Sequence, residues 1–200
     1  MKNAIIYVKD KSEFSFSDVS SAVNSFSVIG MEIDSVSILS CTDDLAFKRQ
    51  LSNFKSTMDN LIMIVPNDVE FDIKAIIAEE MESELMVSDN AVKFIEAVCK
   101  AKSQEIDKEN ALLPVDATLI PNVNGTFQGF MMEDKEFSLV VLPSNSKEFS
   151  VTCSGYVIPY FENKYDIKTD KFIFKYFIFL VIWISIEVPL NLLILHLQLS

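Results

Sequence analysis

Three short polar segments hold most of the side chains that could do chemistry, and each directly follows an apolar run. They are "VKDKSEF" after residues 4–8, "SCTDD" after 33–39 and "VPNDVEF" after 61–65. Asp43 and Asp44 could ligate Mg²⁺ together with Asp68 or Asp72, because hard divalent cations take carboxylate oxygens. The same acids are also explained as helix-terminus residues, since negative side chains favour the positive end of a helix. A fourth segment, "IPNVNGTFQGF" (120–130), gathers Asn122, Asn124, Gly125, Thr126 and Gly129. Asn-Gly is the strongest two-residue signal for a type I′ hairpin turn, whose central positions have positive φ. Gly125 would then serve the turn. Gly129 would leave room for a ligand or a crossing backbone, as a strand glycine often does. A plain hairpin and a substrate-facing loop both fit this segment.

What is missing narrows the chemistry. His196 is the only histidine and lies near the carboxyl end, which removes His-based catalysis or a multi-His metal site from the body. Cys41, Cys99 and Cys153 are far apart and odd in number, so they form neither a metal-spaced pair nor a disulfide framework, and a reducing cytoplasm is expected. The net charge is −12, and residues 171–200 hold only Lys171, Lys175 and Glu187, so residues 1–170 carry −13. Such an acidic body, with no basic stripe, repels phosphate backbones and excludes nucleic acid as the expected partner. None of the three polar segments is glycine-rich, and neither a Walker loop nor a dinucleotide fingerprint occurs.

The elements that must position these residues follow from apolar spacing. "AIIYV" (4–8), "IDSVSIL" (33–39) and "LIMIV" (61–65) read as strands, the last buried on both faces. Between them, Phe16, Val19, Val23 and Phe26 mark one helix, stopped at Gly30. Phe47, Leu51, Phe54 and Met58 mark a second, capped by Thr42. Ile73, Ile76, Ile77, Met81 and Leu85 form a third helical face. Val92, Ile95, Val98, Cys99 and Ile106 form a fourth. Alternating strands and helices predict an α/β three-layer sandwich with a mostly parallel central sheet. After Asn110, "ATLIPN", "FQGFMM" and "FSLVVLP" predict an antiparallel hairpin extension of that sheet.

The order of pieces in "LLPVDATLIPNVNGTFQGFMMEDKEFSLVVLPSNSKEF" resembles the signature region of the competence-damage-inducible protein A (CinA) family. There a P-x-G-A element precedes Asn-x-x-G-T-A-x-G-F, a short hairpin and L-P-G-x-P-x-E-M. Pro114, Ala117, Asn122, Gly125, Thr126, Gly129, Phe130, Leu142, Pro143 and Glu148 stand in register with it. "SCTDD" is similar to the family's V-G-D-N turn, with Asp43 at the aspartate. "MDNLIMI" is similar to its D-L-V-I strand, and "YVIPYF" to its V-x-P-x-L segment. The resemblance spans roughly residues 1–175 and is most specific in 111–149. It implies a MoaB/Mog-like molybdopterin-binding fold, a nucleotide- or pterin-like ligand and metal-dependent ADP-ribose pyrophosphatase chemistry. It also implies Mg²⁺ on Asp43 and Asp72, and a substrate lined by Asn122, Gly125, Thr126 and Gly129. A homo-oligomer is compatible with it. The departures lie in the phosphate loops. "KDKSEF" stands for G-T-E-L, "VPNDVEFD" stands for G-G-L-G-P-T-x-D-D, and Ser144 replaces the glycine of L-P-G. The family's separate amidohydrolase domain has no counterpart in this sequence.

Residues 171–200 form a second region of different character, an apolar tail. As a helix, 176–199 would reach about 36 Å, enough to span a bilayer. Glu187, Pro189 and Asn191 interrupt it. A frame-shifted or truncated gene end, a membrane anchor and a buried strand-helix pair all account for it. The anchor reading carries the alternative of a non-enzymatic acidic interaction module held at a membrane through residues 176–199.

Overall fold

Strand β1 (Asn3–Lys9) shows how the layers arise. Ala4, Ile6 and Val8 point into one apolar cluster, and Ile5 and Tyr7 point into the other. A strand with both alternating faces buried needs cover on each side, and helices supply it. A computed structural model describes residues 1–10, 15–103 and 107–167. In it β1 is joined by β2 (Ser35–Ser40), β3 (Asn60–Val65), β6 (Thr118–Ile120), β7 (Gly129–Asp134) and β8 (Phe137–Pro143). The strand order is β2-β1-β3-β8-β7-β6. β1, β2, β3 and β8 are mutually parallel neighbours, and β7 runs antiparallel to both β8 and β6. The chain order reverses between β1 and β3, so ligands are expected beyond the carboxyl ends of those strands. β4 (Leu85–Val87) and β5 (Leu112–Pro114) make a separate antiparallel pair.

One face of the sheet is covered by α2 (Asp44–Thr57), α3 (Ile73–Glu80) and α4 (Asp89–Lys102). They contribute Phe47, Leu51, Ile77, Ile95 and Cys99 to the cluster. The opposite face is covered by α1 (Phe16–Ser27) and by a run made of α5 (Ser146–Thr152), a π-helical turn (Cys153–Val157) and α6 (Ile158–Lys164). This is the α/β three-layer sandwich with an antiparallel extension that the sequence predicts.

Several boundaries differ from expectation. Asp43, rather than Thr42, caps α2, accepting from the Ala46 amide at 2.9 Å. The third helix stops at Glu80, because Glu82 turns the chain with φ of 53° and frees Leu85 to enter β4. The helical run over 146–164 was not anticipated from its Gly155, Pro159 and β-branched residues. Pro159 has no amide hydrogen to give. The π-helical turn just before it, where the Ile158 amide reaches back to the Cys153 carbonyl, lets the run continue. Phe149, Cys153, Val157 and Phe161, four apart, are all buried on the sheet. Ile106 and the apolar tail, with its anchor and gene-end readings, lie outside the described residues. Among the described residues no helix is long and apolar enough to cross a membrane.

Candidate functional site

The segment 121–128 is a loop, not a two-residue turn. β6 and β7 pair with Ile120 opposite Gly129, leaving eight residues between them. Gly125 has no positive φ; among the described glycines only Gly30 does. The type I′ expectation fails because buried side chains, rather than backbone handedness, hold this loop. Asn122 is fully buried and uses all its hydrogen-bonding capacity. Its Nδ2 donates to the Phe127 carbonyl at 2.9 Å and to Glu148 Oε2 at 2.7 Å. Its Oδ1 accepts from the amides of Asn124 at 3.0 Å and Gly125 at 3.1 Å. Gln128, equally buried, accepts from the Asn122 amide and donates to the Asn122 and Gly125 carbonyls. Buried polar networks of this kind are stable only when every member is satisfied, and this one is.

Each predicted glycine has a structural occupant beside it. A Cβ on Gly125 would stand 2.2 Å from Glu148 Oε2, so the carboxylate fills the space a side chain would take. A Cβ on Gly129 would stand 2.9 Å from the Val141 carbonyl oxygen and 3.2 Å from Ile120 Cβ. The crossing backbone, one of the two options read from the sequence, is what approaches Gly129. Thr126 is half-buried.

The loop also delivers Phe127 to a crevice of about 450 Å³ at the carboxyl end of β3. Pro66, Asp72, Lys74, Leu85, Asn110 and Phe127 are among its lining residues. Lys74 is only 9% exposed, which is unusual enough for a lysine to need a reason. Its Nζ donates to the carbonyls of Asn110 at 2.9 Å and Glu109 at 3.4 Å, and lies 5.7 Å from the centroid of the Phe127 ring. Burial pulls its pKa down to about 8, against the opposing pull of Asp72 and Asp107. Sequence reasoning passed over Lys74 and Phe127. The available signal was a lone lysine at the second position of α3, directly before the apolar run of residues 75–78.

The two metal candidates cap adjacent helices. Asp72 Oδ1 accepts from the Ala75 amide at 2.9 Å, as Asp43 Oδ1 does from Ala46. Their loops touch: the Glu70 amide donates to the Cys41 carbonyl, and the Phe71 ring lies against Phe47. Among the described residues no three His, Cys, Asp or Glu side chains are grouped as a metal site. A cation bridging the two loops would find Oδ2 of Asp43 and of Asp72, since Oδ1 of each is held by its own helix.

The fold is an open α/β domain with a crevice at the carboxyl end of β3. No family model matches the chain. In sequence it is 32% identical over 96 residues to a putative competence-damage inducible protein of Clostridium beijerinckii, covering 46% of this chain and 23% of that protein. A putative competence-damage inducible protein of Clostridium tetani is 31% identical over 90 residues, 44% and 22% of the two chains. The matched region thus spans less than a quarter of these curated relatives. Among solved structures, the protein CinA of unknown function from Thermoplasma acidophilum superposes with a TM-score of 0.64 at 15% identity, covering 77% of this chain and 94% of that one. A molybdopterin biosynthesis enzyme MoaB from Thermus thermophilus aligns with a TM-score of 0.49 at 11% identity, over 79% and 89%. The resemblance read from the signature region is met by named relatives, and the fold is that of the Thermoplasma CinA.

Proposed function

We propose that the domain binds a small nucleotide- or pterin-like molecule in the crevice at the end of β3. The observation that carries this is a nearly buried Lys74 amine over the Phe127 ring, in a crevice at the carboxyl end of a central strand of the sheet. Asn122, Gly125 and Gly129 act as positioning residues, because the loop they build sets where Phe127 lies. Thr126, the fourth, is half-exposed next to Phe127 and lies outside the crevice lining. The resemblance of 111–149 to the CinA signature region supports a ligand of this class.

Hydrolysis of an ADP-ribose-type pyrophosphate is the more demanding activity. It would place Mg²⁺ on Asp43 and Asp72, and each already gives one oxygen to its own helix. The cytoplasm, where such metabolites occur, is the proposed compartment. The test uses the full chain. Thermal shift against a panel of free bases, nucleosides, nucleotides and pterins should give a positive shift that Phe127→Leu diminishes. An ADP-ribose assay with Mg²⁺ should give no turnover. No shift with any compound would reject the binding role, and turnover abolished by Asp72→Asn would establish the hydrolase instead.

A further inference from the structure

The six-stranded sheet ends in two unlike edges. β6 is three residues long, and an edge that short offers little to pair with. β2 has six residues, "SVSILS", with no charge and no proline, and its register with β1 is unbroken by a bulge. Edge strands are commonly blunted by lysine, proline, bulges or shortness, because their outer N–H and C=O groups are a template for another strand. Among the described residues no strand lies beyond β2. The one further backbone bond to it is accepted by the Ser40 carbonyl from the Asp43 amide at 3.3 Å. Val36 and Ile38 stand beside Ile5 and Tyr7 on the face that α1 covers, yet they are 40% and 38% exposed.

On a chain with a net charge of −12, self-association is opposed by like charge over most of the surface. This edge is the exception. Residues 35–40 carry no charge, and α1, twelve residues on the same face, carries only Asp18. β2 is also complementary to itself. Antiparallel pairing about a two-fold axis through Ser37 keeps every side chain on its own face of the sheet. Val36 then stands opposite Ile38 of the second copy, Ile38 opposite its Val36, and Ser37 opposite its Ser37 on the other face. Asp34 falls opposite Ser40 and Glu32 opposite Thr42, so no carboxylate directly faces another. We propose that two copies of this chain pair through the outer edges of their β2 strands, antiparallel about Ser37, and join their sheets into one. The contact is isologous, and a ladder this short belongs to the small, reversible class of interface.

Sedimentation velocity and cysteine cross-linking of the full chain test this. The wild type should show a reversible monomer–dimer equilibrium that Ile38→Lys, a charge placed on the exposed edge, weakens about tenfold or more. Ser37→Cys should be joined into a disulfide-linked dimer by mild oxidation. Directly opposed antiparallel residues have Cα atoms about 4.5–5.5 Å apart, within disulfide reach. Val36→Cys lies diagonal to its own copy, at about 7–8 Å, and should cross-link far less. The wild type, whose Cys41, Cys99 and Cys153 are all buried, should not cross-link. A chain that is monomeric at its highest soluble concentration overturns the proposal. So does a dimer as strong in Ile38→Lys as in the wild type, the result expected if residues 171–200 drive association. Cross-linking of Val36→Cys as readily as Ser37→Cys overturns the two-fold register.

Discussion

Gly125→Ala probes the network that builds the loop. A Cβ at this position would stand 2.2 Å from Glu148 Oε2, 2.4 Å from Cδ and 2.6 Å from Oε1, so the carboxylate has to move by more than an ångström. Glu148 is buried, and its 2.7 Å bond to Asn122 cannot survive that shift. Losing a hydrogen bond to a charged group costs roughly 1.5–3 kcal/mol. Because Gly125 is not in the left-handed region, alanine also stiffens the unfolded chain, returning about 0.4–1 kcal/mol. The net loss should be about 1–2 kcal/mol, at roughly 2–4 °C of melting temperature per kcal/mol for a domain of this size. The assay is a double-mutant cycle by urea denaturation with Glu148→Ala. In that background the obstruction is gone, so Gly125→Ala should be neutral or slightly stabilising, giving a coupling above about 1 kcal/mol. An undiminished cost of Gly125→Ala without Glu148 would refute the steric argument and point back to backbone strain.

Other expectations follow from the same contacts. Gly129→Ala should destabilise the ligand-free protein by about 1–3 kcal/mol in chemical denaturation, since its Cβ would press on the Val141 carbonyl, which cannot rotate away. Lys74 binds fewer protons folded than unfolded between its folded pKa of about 8 and its ordinary 10.5, so its charge destabilises the fold below pH 8. That penalty fades as pH rises to 10.5. Stability of the wild type relative to Lys74→Met should therefore rise across this window, with Lys74→Met the more stable at pH 7. Phe161→Ala should cost about 3–5 kcal/mol, because a fully buried ring that stacks on Tyr165 and meets Phe26 edge-on is removed. Burial pushes the Cys153 thiol up to about 12, so Ellman's reagent should leave it unmodified at pH 8 until the protein is unfolded.

The sheet and its first four helices were legible because period-2 and period-3.6 patterns there are long and clean. β3 is six buried residues in a row, and Phe47, Leu51 and Phe54 share one helix face. The 146–164 run was hidden because its signal, four buried side chains at a strict spacing of four, is carried by residues of low helix propensity around a proline. At the loop, Asn124-Gly125 predicted local turn chemistry, and long-range burial won: Glu148, on a helix more than twenty residues later, takes the space beside Gly125. Lys74 shows the same limit. Its burial depends on the backbone carbonyls of Glu109 and Asn110, thirty-five and thirty-six residues away, and no local pattern reveals them.

Amide chemical-shift mapping on the isotopically labelled full chain, titrated with guanosine and with pterin, tests the crevice most directly. The amides of residues 67–74, Asn110 and Phe127 should shift together in a saturable manner, and Phe127→Leu should weaken the titration. Shifts confined instead to the groove of about 690 Å³ lined by Lys102, Asn124 and Lys147, or no shifts at all, would contradict a ligand site at the end of β3.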